Sequence, residues 1–168
     1  MAPWSKGLLT GFLIIAPMLS YAQTSPYDIQ KNKTLADNLE DKAAEAIDDG
    51  DMDKGLDDII QAIALDPSPS RYMNYGSILF GNGVSLFKDS DQQKGVATLQ
   101  LAEIQLRKAI AGFNPHKDQV YLSQCYFLLG EMYLNAFGDR QKAKEYYQRS
   151  AELSDYSGAK EELNKLSN

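Results

Sequence analysis

The sequence predicts an all-α chain: an α-solenoid of about three helix-turn-helix units, closed by a C-terminal capping helix. Three observations carry this expectation. One spacing is written twice, with Gly50, Gly55, Ile59 and Ala62 in the same register as Gly138, Ala143, Tyr147 and Ser150. Apolar residues recur three or four apart through most of the chain, the period of a helix with one buried face. The breaks between these stretches are rich in turn formers, as in Asp49-Gly50-Asp51, Asp66-Pro67 and Lys88-Asp89-Ser90-Asp91. A self-similar helical unit is too small to bury its apolar face alone, so copies stack, and the last copy needs a helix over its open side.

Residues 1–22 have the form of a signal peptide. Lys6 precedes an apolar run from Gly7 to Leu19, and Ser20-Tyr21-Ala22 supplies small residues for cleavage, so the mature chain is expected to start at Gln23. The run is about 13 residues, short of the roughly 17 to 25 that span a bilayer, which makes an uncleaved anchor the lesser reading. The protein is therefore expected to be exported, to a periplasm or the medium, with no membrane contact after cleavage. The next stretch, 23–35, is polar and reads as a loose lead-in; its Asn32-Lys33-Thr34 triplet accepts glycans only where the source modifies such sites.

The remainder, 36–168, is one domain. The first unit, about 36–69, pairs a helix from Leu35 to Asp48 with one from Asp53 to Leu65. The middle unit, about 70–118, is irregular: its first helix carries Met73, Ser77 and Phe80 on the inner face, and surplus residues fall in Gly81 to Gln93 and in Gly112 to Asp118. Its second helix runs through Leu99, Ala102, Leu106 and Ala109, with Ala102 as the counterpart of Gly55. The last unit, about 119–156, pairs Leu122 to Asn135 with Gln141 to Leu153. The capping helix, 157–167, brings Ala159, Leu163 and Leu166 onto one face.

Composition narrows the function. The chain carries a formal charge of -6, the reverse of the clustered Lys and Arg that hold nucleic acid phosphates. The acid is concentrated: between Ala36 and Pro69 eleven carboxylates face only Lys42 and Lys54. Cys125 is the sole cysteine, in register with Leu122, Tyr126 and Leu129, which marks a core thiol rather than a disulfide partner. The sole histidine, His116, sits in a Pro115-His116-Lys117 loop, a poor setting for a general base, so no catalytic, cofactor or metal residues are expected. Asp49, Asp51, Asp53 and Asp57 have calcium-loop spacing, but Lys54 and Ile60 replace the turn glycine and the closing glutamate. The stronger reading of this cluster is a polar interhelical turn, and a weak calcium site is the minor one.

Leu39, Ala43, Ala46, Gly50-Asp51, Gly55, Ile59, Ala62 and Asp66-Pro67 resemble the tetratricopeptide repeat, as do Tyr126, Leu129-Gly130, Tyr133, Gly138-Asp139, Ala143, Tyr147 and Ser150. The last unit departs by one extra turn residue and by Asp155 in place of the closing proline; it is also similar to a Sel1-like repeat, a longer variant of the same helix pair. The resemblance implies a right-handed solenoid whose concave face, made by the first helix of each pair, binds a protein or peptide segment. The paired-lysine clamp for a C-terminal carboxylate is missing, with Glu40 and Ala44 in its place. The expected function is a non-catalytic interaction module, the alternative an assembly or accessory subunit of an envelope complex acting through its outer face or middle insertion. Register places Asp37, Glu40, Ala44, Ile47, Arg71, Asn74, Ile78, Gln124, Phe127, Glu131 and Leu134 on the groove, with Phe127 as its apolar anchor. The acidic first unit implies a basic ligand end there.

Overall fold

The computed structural model describes residues 25–88, 91–155 and 158–167, and every regular element among them is a helix. The expected leader and its cleavage point lie outside the described residues. In chain order α1 spans Pro26–Asp48, α2 Met52–Leu65, α3 Pro69–Lys88, α4 Gln92–Gly112, α5 Gln119–Asn135, α6 Arg140–Leu153 and α7 Ala159–Ser167. The largest interhelical contacts join α1 with α2, α3 with α4 and α5 with α6; α7 then lies against α6.

Helix α1 begins well before the expected Leu35, so the described part of the lead-in is helix and not loose chain. Its start is encoded locally. Ser25 takes an extended backbone and its hydroxyl accepts the Asp28 N–H at 3.2 Å, while Pro26 fills the first turn, where its missing N–H costs nothing. Asn32-Lys33-Thr34 therefore falls inside a helix, with the Thr34 hydroxyl donating to the Gln30 carbonyl. The helix ends at Gly50, whose φ of 86° suits a residue without Cβ, and the Asp51 N–H returns to the Ala46 carbonyl at 2.8 Å. Gly138, at φ 68°, ends α5 with a similar return bond from the Asp139 N–H to the Tyr133 carbonyl.

One junction recurs at the start of α2, α4 and α6. Asp51, Asp91 and Asp139 each accept the backbone N–H three residues on, from Lys54, Lys94 and Lys142, at 3.2, 3.3 and 3.0 Å. The next residue is Gly55, Gly95 or Ala143, each buried, and at the two glycines the backbone of the paired helix lies close by. A Cβ on Gly55 would stand 3.0 Å from the Ala43 carbonyl oxygen, and one on Gly95 would stand 3.0 Å from the Gly83 carbonyl oxygen. One turn further on, buried Leu99 covers Gly83 and buried Tyr147 covers Gly130, with Ile59 in the matching position of α2.

This geometry corrects the register of the middle unit. The counterpart of Gly55 is Gly95, about two helical turns before the expected Ala102. The small residue of α3 at the crossing is Gly83 rather than Ser77. As many residues separate Gly83 from Gly95 as separate Ala43 from Gly55, so the turn between α3 and α4 is no insertion. Part of the surplus falls where expected, in the loop from Phe113 to Asp118, and the rest lies at the far end of α4 and in α3 before Gly83. The packed stripe of α3 is Arg71, Tyr75, Gly76, Leu79 and Gly83, not Met73, Ser77 and Phe80, which are half-buried. Two glycines and an arginine add nothing to an apolar count, and the pattern therefore pointed to the wrong face.

The main core runs through all three pairs, with Ile59, Tyr75, Leu79, Leu99, Leu106, Cys125, Leu129 and Met132 buried together. A second cluster of Tyr133, Ala143, Tyr147 and Ala159 is closed by Leu163 and Leu166 of α7. Cys125 is fully buried, and burial pushes its thiol up to about 12. Native protein should leave this thiol unmodified by iodoacetamide at pH 8 over hours, and denatured protein should be alkylated within minutes. Rapid labelling without denaturant would contradict the packing of α5. No helix among the described residues is long and apolar enough to cross a membrane.

Candidate functional site

Between α1 and α3 the chain concentrates opposite charges. Arg71 is 4% exposed, although arginine is seldom buried unless paired. Its Nη2 donates to Asp37 at 2.7 Å and lies 3.1 Å from Asp66, while Nη1 donates to Glu40. Burial works against the charged guanidinium, but the hydrogen bond to Asp37 and the charges of Glu40, Asp66 and Asp37 outweigh it and hold Arg71 above its usual value. Its Nε is buried with no hydrogen-bond partner among the described residues. Glu40 also accepts from Asn74 at 3.3 Å. These side chains, with Lys33, Ser68 and Ser70, line a polar recess of about 420 Å³.

Two less polar recesses flank α3. One, of about 260 Å³, is lined by Glu40, Ala43, Ala44, Ile59, Asn74, Ser77 and Ile78. The other, of about 420 Å³, lies where α3 passes α5, and Phe80, Val84, Phe87, Leu99 and Met132 form its walls, with Lys88, Glu131, Asn135 and Ala136 around them. Between the recesses runs the exposed stripe of α3: Asn74, Gly81, Ser85 and Lys88.

The expected groove residues divide accordingly. Asp37, Glu40, Arg71 and Asn74 meet in one network, and Ala44 and Ile78 line the small recess beside it. Ile47 turns inward, against the bare backbone of Gly55. Gln124 is half-buried. Glu131 faces the larger apolar recess and accepts the Tyr147 hydroxyl at 2.5 Å. Phe127, expected to stand free, is half-buried with its ring 5.7 Å from that of Tyr147, and Leu134 packs with it on the second cluster. The reason is the packing of α6 on α5, which sets Tyr147 and its cluster against the side of α5 that the register left open. The apolar surface next to α3 comes instead from Phe80, Val84 and Phe87. That signal is present in the sequence, where Phe80 reads as inner face and Val84 and Phe87 as part of an extended helix before the Lys88-Asp89-Ser90-Asp91 loop.

Asp51, the central acid of the calcium-like spacing, spends its side chain capping α2. His116 is exposed in the α4–α5 loop, where its N–H donates to the Asn114 side chain at 2.9 Å. On the side of α5 and α6 that meets α4, Tyr126 and Tyr146 stack with centroids 6.3 Å apart. Arg107 lies 5.9 Å from the Tyr146 ring and Arg149 lies 5.8 Å from the Tyr126 ring.

Burial raises the pKa of Tyr75, Tyr133 and Tyr147, and for the latter two hydrogen bonds to Glu103 and Glu131 add to the effect. A raised folded value means that the native state keeps a proton the unfolded state gives up. The associated stability is full below the ordinary tyrosine value of about 10 and is lost as pH rises above it, by roughly 1.4 kcal/mol per pH unit for each such group. Urea midpoints should therefore hold between pH 7 and about 8, begin to fall near 9 as the enclosed Cys125 thiol keeps a proton the unfolded chain gives up, and fall steeply above about 10. A flat profile to pH 11 would show that these hydroxyls are not enclosed.

No family model matches the chain, and no curated protein and no solved structure matches it.

Proposed function

We propose that this is a non-catalytic interaction module of tetratricopeptide-like build, a right-handed solenoid of three helix pairs and a cap, that receives a segment of a partner protein along α1, α3 and α5. The observation that carries the reading is the row of recesses on both flanks of α3, opening beside an exposed stripe of that helix. The recurrent Asp-x-x-Lys junction and the small-residue crossing after it support the repeat build. An interaction role also fits the placement of the two most reactive side chains, since Cys125 is enclosed and His116 stands apart in a loop. Export to a periplasm or the medium, with residues 1–22 removed, belongs to the same proposal and rests on the sequence of that segment.

Photo-crosslinking residues placed at Ala44 and at Ser85 should trap the same partner, and one placed at exposed Gln148 of α6 should not. The reverse pattern favours the second reading, an accessory subunit docking through the Tyr126, Tyr146, Arg107 and Arg149 face. Equal trapping at all three positions would overturn the groove.

A further inference from the structure

Gly81 lies in the interior of α3, where glycine is a much poorer helix former than alanine, yet a Cβ there would meet nothing within 4 Å. The other glycines inside α3 are each explained by contact: Gly76 lies against Leu106 and Gly83 against Leu99 and Gly95. Gly81 has no such packing reason. It sits on the exposed stripe between the small recess beside Glu40 and the apolar recess beside α5. A missing side chain at that point lets a second backbone cross α3 closely.

From the geometry we infer that Gly81 is the crossing point for an extended partner segment carrying a basic residue at one end and a bulky apolar residue at the other. Charge selects the basic end. Asp37, Glu40 and Asp66 converge on the single guanidinium of Arg71, so negative charge is in excess there even with Lys33 at the rim. The apolar end enters the recess walled by Phe80, Val84, Phe87 and Met132. Along α3, Asn74 and Val84 are about 15 Å apart at 1.5 Å per residue, which an extended chain spans in about five residues. The segment thus has a lysine or arginine about five positions from a phenylalanine- or leucine-sized side chain. This rests on the interaction reading above and adds the ligand's chemistry.

The test uses a fluorescent ten-residue probe with one arginine and, five positions away, one phenylalanine in a Gly-Ser background, followed by anisotropy and by amide NMR shifts on the protein. Binding should move the resonances of Asn74, Gly81 and Val84. It should weaken at least about tenfold when the probe's arginine becomes glutamate or its phenylalanine becomes alanine. Gly81→Gln should raise the melting temperature and weaken the probe by a similar factor, so loss of binding cannot be put down to unfolding. Unchanged binding by Gly81→Gln, equal binding of the glutamate probe, or a second copy of the chain found on this face by light scattering would overturn the inference. Shifts confined to Ala44, Asn74 and Ile78 would overturn it while leaving a groove on α1 and α3. Shifts only at Tyr126 and Tyr146 would overturn the interaction reading itself.

Discussion

Gly95→Ala should lower stability by about 1 kcal/mol, or roughly 3 °C in melting temperature, although alanine is the better helix former. A Cβ at Gly95 would stand 2.7 Å from the Phe87 nitrogen, 2.9 Å from the Phe87 Cα and 3.0 Å from the Gly83 carbonyl oxygen. All three are backbone atoms, so no rotamer change relieves the contact and α3 must move off α4. Separation loosens Leu99, which is fully buried over Gly83, and overpacking of this kind costs about 1 to 3 kcal/mol. The helix-propensity gain of about 1 kcal/mol offsets only part of it. The control is Gly81→Ala in the neighbouring helix, which meets open space and should raise the melting temperature. Thermal melts of both variants check the geometry, because propensity alone predicts the same sign for each. A stabilised Gly95→Ala would mean that the helices do not cross there.

Arg71→Met should cost about 2 kcal/mol, below the 3 to 5 typical of an ion pair broken in a sealed core. The guanidinium is enclosed, but its partners are only partly so: the Asp37, Glu40 and Asp66 side chains are 56%, 24% and 30% exposed. Water can therefore reach the carboxylates once the cation is gone, which limits the loss. What remains is their mutual repulsion and the loosening of α1 from α3. Adding Glu40→Gln should recover part of the loss, since one of the stranded charges is removed, and a double-mutant cycle would read the coupling directly. Arg71→Met without effect on urea midpoints would show that this cluster ties nothing together.

The helices were legible because most of their signals are local. Spacing of apolar residues, the Gly50 and Gly138 terminations and the closing Asp66-Pro67 set the bounds of α2, α5 and α6 to within a few residues. The start of α1 was equally local, in Ser25-Pro26 with Asp28, but its polar first turns carry little apolar pattern. The register of α3 and α4 was not legible from hydrophobicity, because Gly76, Gly83 and Gly95 make the closest contacts and contribute no apolar side chain. The Asp-x-x-Lys pattern at Asp51, Asp91 and Asp139 would have fixed it, since a cap aligns a helix more surely than its apolar residues do. Charge and register on α1 and α3 brought together Asp37, Glu40, Arg71 and Asn74, which do meet, but not the inward turn of Ile47. The α5 part of the groove depended on how α6 packs, and no periodicity within α5 reports that Tyr147 and its cluster meet Phe127 and Leu134.

The pairing of each helix with its neighbour in sequence also governs how the chain reaches this structure. Nearly all of the extensive contact is between elements joined by a short turn, so little loop-closure entropy stands in the way and folding belongs to the fast, low-contact-order class. The α3–α4 pair has the most extensive contact among the described residues, so substitutions in it are expected to slow folding more than substitutions in α1–α2 or α5–α6. Opening begins elsewhere. With its short helix and small contact, made chiefly with α6, α7 is expected to open at a lower free energy than any of the three helix pairs.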